Sequence, residues 1–396
     1  MPDLLNVPDR QEMLDRAAQI APELEKWAQA TNELRKLHPE SFALIRDAGM
    51  FRMLQPRRLG GYELDLNTFN LVTRELAKAC PSTAWVLGVS GAHTWILAMY
   101  PEACQDAIAA VDPETFIPGA LTPQGRATPA EGGMRVSGQW QFASGVNHGA
   151  WAMFGASLAS TTTERPTGVH FFVPRSDLTI VDTWHSMGLR GTGSNDVVLD
   201  DVFVPDHMIL PDGQLFANGT EYAKRHETLG YSCIPIFTGL AFILTGPVIG
   251  IAETALGAFV ERTLEWKDVF IRASKAHRVQ IQVRLAQAQD EIRSAKARVA
   301  GVMELFDHLI AEGRRATTEE RILAKWQICE AGEACKNAVD RLFVAAGSHS
   351  VFDDSVLQRA FRDLHVAKNH SFLDIDLARE MRGRVELGLD PGTPLF

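Results

Sequence analysis

At 396 residues the chain exceeds the usual single-domain size, so two or three domains are expected, and 46% hydrophobic with 22% charged residues excludes a disordered chain. A net charge of −10 argues against nucleic acid or another polyanion as partner, because phosphate binding needs clustered Lys and Arg; a small-molecule substrate stays open. Five scattered cysteines without a C-x-x-C pair suggest neither a disulfide framework nor structural zinc. The start, MPDLLNVPDRQEMLDRAA, lacks the apolar core of a signal peptide. The most apolar stretch, Ile234 to Ile251, carries two prolines and three glycines and reads as a buried helix start rather than a membrane span. A cytoplasmic location is expected.

From Arg10 to about Met53 the apolar spacing is helical, through Leu14, Ala17, Ile20, Leu24, Trp27 and Ala28. A glycine-bearing break, QPRRLGGYELD, precedes helices over about Leu66–Ala79 and Ser82–Met99, the latter placed just after Pro81. From Thr115 the texture changes to short β-branched and aromatic runs between turns: FIPGAL, MRVSGQWQFASG, AWAMFGASLA, GVHFFVPR, TIVDTWHSM and DVVLDDVFVP. These predict a small antiparallel sheet or barrel. Long helices then return, over Pro247–Asp268, Val279–Glu312, Thr317–Gly347 and Asp354 to about Arg382, and predict a four-helix bundle. The expected division is a helical domain over 1–114, a β domain over 115–223 and a helical bundle over 224–396.

Three stretches carry a resemblance. MGLRGTGSNDVVLDDVFVP (Met187 to Pro205) is similar to the segment that closes the β domain of the acyl-CoA dehydrogenase superfamily. By residues alone it is a glycine-rich turn before a strand, and its glycines are spaced wrongly for a dinucleotide fingerprint. GQWQFASGVNHGAW (Gly138 to Trp151) resembles the strand whose aromatic-x-Ser/Thr unit meets the flavin N5 edge. Phe142-Ala143-Ser144 fits that unit. AAGSHSVFDDSVLQRAFRDLHVAKNH (Ala345 to His370) is similar to the superfamily's glycine turn and R-D helix, with Gly347 in the turn. The resemblance spans nearly the whole chain and implies the helix–sheet–bundle fold of that superfamily.

One departure bears on function. Where acyl-CoA dehydrogenases commonly carry a catalytic glutamate, Arg362-Asp363 is followed by LHVAKNHSFLD, so the base for α-proton removal is missing there. His370 stands in that stretch. This pattern resembles the oxygenase component of two-component flavin-dependent monooxygenases, the branch of aromatic hydroxylases and dibenzothiophene monooxygenases, which also carry a histidine at the position of His93. Alone, His93 reads as a satisfied core histidine and His370 as a surface residue.

The resemblance implies reduced flavin (FADH2 or FMNH2) as cofactor and O2 as co-substrate, reacting through a C4a-hydroperoxyflavin, with no metal. A separate NAD(P)H:flavin reductase and a homotetramer are the implied partners. Ser144 is the candidate for the N5 contact, His370 for taking a phenol or indole proton, and His93 for orienting the substrate. Arg272, in FIRASK, is a candidate for the flavin phosphates and reads equally as a solvated arginine. His148 and His349 are weaker candidates to line the site. Gly119 and Ala120, where some phenol-acting relatives carry serines, suggest a less polar pocket suited to indole or a fused aromatic. The alternatives are an acyl-CoA dehydrogenase with a displaced base and a non-catalytic flavin-binding protein.

Overall fold

In a computed structural model the described residues are 7–158, 168–216, 220–226, 230, 233–266 and 274–393. Six helices open the chain: α1 (Arg10–Lys26), α2 (Ala28–Leu34), α3 (Pro39–Asp47), α4 (Leu66–Ala79), α5 (Pro81–Leu97) and α6 (Glu102–Val111). The helical pattern expected to run from Arg10 to Met53 is interrupted at Trp27, between α2 and α3, and at Ala48 and Gly49. Arg35 adopts a left-handed conformation that ends α2, and the His38 side chain caps α3, whose first residue is Pro39. Every residue of α5 except Val89 is buried, as suits a helix apolar on all sides.

The sheet strands are β1 (Gly119–Ala130), β2 (Gly133–Ala143), β3 (Trp151–Leu158), β4 (Gly168–Pro174), β5 (Thr179–Val181), β6 (Asn195–Pro205) and β7 (Ile209–Pro211), in the spatial order β5-β6-β2-β1-β3-β4-β7. One neighbouring pair, β1 and β3, is parallel, and the others are antiparallel. The parallel pair follows from the topology: β2 returns beside β1, and the link from β2 to β3 then crosses the start of β1 to reach its other edge. Ser144 lies in that link and bridges to Gly119. At Gly119 a Cβ would overlap the Met153 carbonyl, so only glycine admits β3 this closely.

The end of β2 is bulged. Trp140 pairs with Val197 and Ala143 with Asn195, which leaves one extra residue on β2, and Phe142 takes a positive φ of 67°. The bulge breaks the two-residue alternation and re-aims everything after it, including Ser144.

Beyond β7 come α7 (Asp212–Leu215), α8 (Ile236–Ile243), α9 (Thr245–Glu265), α10 (Val279–Glu312), α11 (Thr318–Ala346), α12 (Val356–Lys368) and α13 (Ile375–Glu386). Thr317 and Glu320 form a reciprocal capping box at the start of α11, and α10 ends at Gly313. The last expected helix, from Asp354 to about Arg382, is two helices. His370 caps a short turn over Ser371–Leu373, and Asp374 then caps α13. The apolar segment over α8 and α9 is 89% buried in its most apolar window, so it is a core element of this fold. One hydrophobic core runs continuously through the N-terminal helices, the sheet and α8–α12, where chain length alone suggested separate cores.

Candidate active site

The three stretches that carried the resemblance are joined by hydrogen bonds. Oδ1 of Asp363, on α12, accepts from the backbone N–H of Leu189 at 2.6 Å, and Arg362 Nη1 donates to the Met187 carbonyl at 3.0 Å. Gly188 backs onto the Arg362 carbonyl so closely that any Cβ would overlap it. Leu189 itself has a left-handed φ of 46°, an uncommon conformation for a γ-branched residue that its contacts hold in place. Burial pushes the Asp363 carboxyl up to about 6, against the pull of the Leu189 amide and of Arg359 and Arg362.

From Leu189 a row of buried hydroxyls leads to the end of β2. Thr192 Oγ1 donates to the Leu189 carbonyl at 2.8 Å, Ser194 Oγ lies 2.7 Å from Thr192 Oγ1, and Ser144 Oγ lies 2.8 Å from Ser194 Oγ. The Gly145 amide donates to the Thr192 carbonyl at 2.8 Å and fixes the two loops together.

His93 and His370 approach along α5. His93 Nδ1 lies 2.9 Å from the Ile117 carbonyl. A carbonyl only accepts, so Nδ1 carries the hydrogen and, in the neutral ring, Nε2 is bare. His370 has the opposite arrangement. Its Nδ1 accepts from the Phe372 amide at 3.2 Å, so the hydrogen of the neutral ring sits on Nε2. Burial holds both rings at about 4, with the His170 ring adding to the effect at His93 and the Lys325 ammonium at His370. Both are therefore neutral near pH 7.

The His370 ring packs against Trp85 and Phe372, with centroids 5.7 and 5.3 Å away. The turn beneath it is gripped from two helices: Lys325 Nζ donates to the Phe372 carbonyl at 2.6 Å and Lys368 Nζ to the Leu373 carbonyl at 2.9 Å. Trp85 and His93 lie eight residues apart on α5, about 12 Å along its axis. Between them Val86 faces the backbone at Gly145. One helix thus carries or faces His93, the Ser144 loop and His370.

The remaining candidates are spread more widely. Phe142, 61% exposed, meets Trp184 edge-on at 6.1 Å. His148 stacks on Phe42 at 5.0 Å, with burial lowering its pKa to about 4. Its Nε2 and the Trp151 Nε1 are buried without a hydrogen-bond partner among the described residues. Gly347, with φ 75°, ends α11 beside Trp266, away from this cluster at the end of the bundle, and His349 lies in the following turn. Arg272 lies outside the described residues.

Comparison with known proteins bears on this arrangement. Residues 9–107 match the acyl-CoA dehydrogenase N-terminal domain and residues 242–375 match the acyl-CoA dehydrogenase C-terminal domain. The chain is 32% identical to the flavin-dependent monooxygenase, oxygenase subunit HsaA, of Rhodococcus jostii (strain RHA1), over 95% of this chain and 98% of that one. It is 31% identical to the FADH(2)-dependent resorcinol hydroxylase, oxygenase component, of Rhizobium sp. (strain MTP-10005), over 96% and 95%. The crystal structure of the HsaA monooxygenase from M. tuberculosis superposes with a TM-score of 0.91 at 32% identity, covering 98% of this chain and all of the other. The chain belongs to the flavin-dependent monooxygenases of the acyl-CoA dehydrogenase fold.

Within that family the site has parts that the motifs did not single out. Thr192 and Ser194 lie in a stretch that reads as a glycine-rich turn before a strand, and no motif includes Lys325. In the fold the two hydroxyls join the Leu189 carbonyl to Ser144, and the Lys325 ammonium meets the Phe372 carbonyl. Asp363 was visible as half of the R-D pair, but nothing in sequence linked it to Leu189.

Proposed function

We propose that this monooxygenase takes reduced flavin from a separate NAD(P)H:flavin reductase and, with dioxygen, hydroxylates an uncharged aromatic compound such as a phenol, indole or fused aromatic. The pair of neutral histidines with opposite tautomers carries this reading. When bound, reduced flavin supplies the two electrons that activate dioxygen for transfer to an electron-rich ring. The residues present suit that group: Ser144 offers a hydroxyl, Phe142 an exposed aromatic face on a bulge, and Trp151 a buried N–H without a partner among the described residues.

His93 Nε2, bare in the neutral ring, accepts a hydrogen bond from a phenol O–H or indole N–H and so polarises the substrate ring towards the oxygen-accepting state. His370, with its hydrogen on Nε2 and its Nδ1 engaged by Phe372, donates a hydrogen bond and takes no proton while neutral. This reverses the roles suggested by the resemblance, in which His370 was the base and His93 oriented the substrate. Trp85, Phe372 and Phe237 form a run of aromatic contacts reaching His370, and they favour an apolar substrate; Gly119, whose side-chain direction faces the Met153 carbonyl, adds nothing to that preference.

Gly347 and Arg272 are assigned to the phosphate end of the flavin, at a surface completed by a second copy of the chain in a cytoplasmic homotetramer. The exposed Val344, Val351 and Phe352 around that turn support such a contact. Chemically reduced FMN or FAD, supplied with oxygen and a panel of aromatics, tests the activity by product analysis. Faster turnover of hydroxyphenylacetate than of indole or 2-naphthol would contradict the apolar-pocket reading.

A further inference from the structure

The row of hydroxyls ending at Ser144 has a direction. Thr192 Oγ1 lies 2.8 Å from the Leu189 carbonyl, which holds no proton, so Thr192 must donate there. Each hydroxyl has one proton. With its own committed, Thr192 can only accept from Ser194 at 2.7 Å, and Ser194 in turn can only accept from Ser144 at 2.8 Å. What Ser144 retains for a ligand is lone pairs.

Reversing the row would set a Thr192 lone pair against the Leu189 carbonyl at hydrogen-bond distance. The loop cannot easily relax to avoid this, because Asp363 holds the Leu189 amide and Gly145 holds the Thr192 carbonyl. All three hydroxyls are buried, at 6%, 3% and 1% exposure for Ser144, Ser194 and Thr192, so water does not offer each an alternative partner.

We propose that Thr192 and Ser194 are positioning residues that fix Ser144 as a hydrogen-bond acceptor, and that this makes the site select reduced over oxidised flavin. N5 of a reduced flavin bears a hydrogen and matches an acceptor. N5 of an oxidised flavin bears only a lone pair and opposes one. The inference rests on the reading that Ser144 meets the flavin N5 edge.

The test is anaerobic equilibrium titration of the full chain with dithionite-reduced FMN and FAD, and separately with the oxidised forms. Its readout is the ratio of oxidised to reduced Kd. Wild type is expected to favour the reduced form at least tenfold, the equivalent of about 1.4 kcal/mol. Ser194→Ala frees the Ser144 proton, so the ratio falls about tenfold, in part through tighter binding of the oxidised form. Thr192→Val, nearly isosteric, shifts the ratio in the same direction and serves if Ser194→Ala does not fold. Ser144→Ala brings the ratio close to one.

Loss of structure would weaken both forms alike and leave the ratio alone. A ratio unchanged in both Ser194→Ala and Thr192→Val overturns the proposal. Wild type binding neither flavin in either state removes the flavin reading itself. Flavin binding that Ser144→Ala does not alter removes only the N5 contact, and the proposal with it.

Discussion

Asp363 and Leu189, 174 residues apart, meet through a single short hydrogen bond that ties the bundle to the loop ahead of β6. The amide belongs to a residue in a left-handed conformation, and the carbonyl of that residue anchors the hydroxyl row to Ser144. A buried carboxyl on α12 is thus linked through Leu189, Thr192 and Ser194 to the Ser144 hydroxyl.

Asp363→Ala leaves a buried amide without a partner, which costs about 1–3 kcal/mol. Asp363→Asn keeps an acceptor and is expected to be milder. Denaturant midpoints of the two variants, compared with wild type, check the order.

The same carboxyl gives a pH signature. Its folded-state pKa of about 6 lies above the ordinary 3.8, so the folded protein holds the proton more tightly than the unfolded chain. Its contribution to stability is full below about pH 4 and is lost as pH rises through about 6. Asp363→Asn is expected to flatten that part of the stability profile between pH 4 and 7, by an amount on the order of a few kcal/mol. Urea titrations of both proteins across this range measure it, and parallel profiles would contradict the assignment.

His93 and His370, both lowered to about 4 by burial, stay neutral through the physiological range. Hydroxylation of indole, which does not ionise there, is expected to show no inflection near pH 6.5 and to fall only as pH approaches 4 to 5. The unfolded chain protonates these rings at a higher pH, so their contribution to stability falls as pH drops from about 6.5 towards 4. A pH–rate profile with its acid limb at 6.5 would count against two rings that stay neutral there.

Lys325 sits under the turn that carries Phe372, and its ammonium lowers the His370 pKa. Lys325→Met removes that charge and leaves the Phe372 carbonyl without its partner. The His370 pKa is expected to rise, read by NMR titration of the ring, and kcat to fall more than KM rises. An unmoved His370 titration would show that Lys325 acts only in packing.

Much of this was legible in sequence, and the exceptions share a cause. The bounds of α4 and α10 match those expected from periodicity, and the structure adds their ends: Asp65 caps α4, Gly313 stops α10 and Thr317 with Glu320 caps α11. Ser144, His93 and His370 are candidates through their places in motifs, and the fold sets them along or facing α5. The break at His370 was not legible, because the apolar spacing of α12 continues into α13, and only the cap by His370 divides them. The parallel β1–β3 pair was missed because hairpin-length turns suggest antiparallel neighbours. Tautomers were also out of reach: they depend on Ile117 and Phe372, which are remote from any motif or carry no chemistry of their own.

The proposed reaction places one atom of dioxygen on an aromatic ring, with electrons from supplied reduced flavin. Incubation with reduced FMN or FAD, 18O2 and an indole, naphthol and phenol panel, followed by mass spectrometry, tests it most directly. A hydroxylated product carrying one 18O atom is expected from wild type, lost in His93→Ala while reduced flavin still binds. No labelled product from wild type on any of these substrates, or undiminished product from His93→Ala, would contradict it.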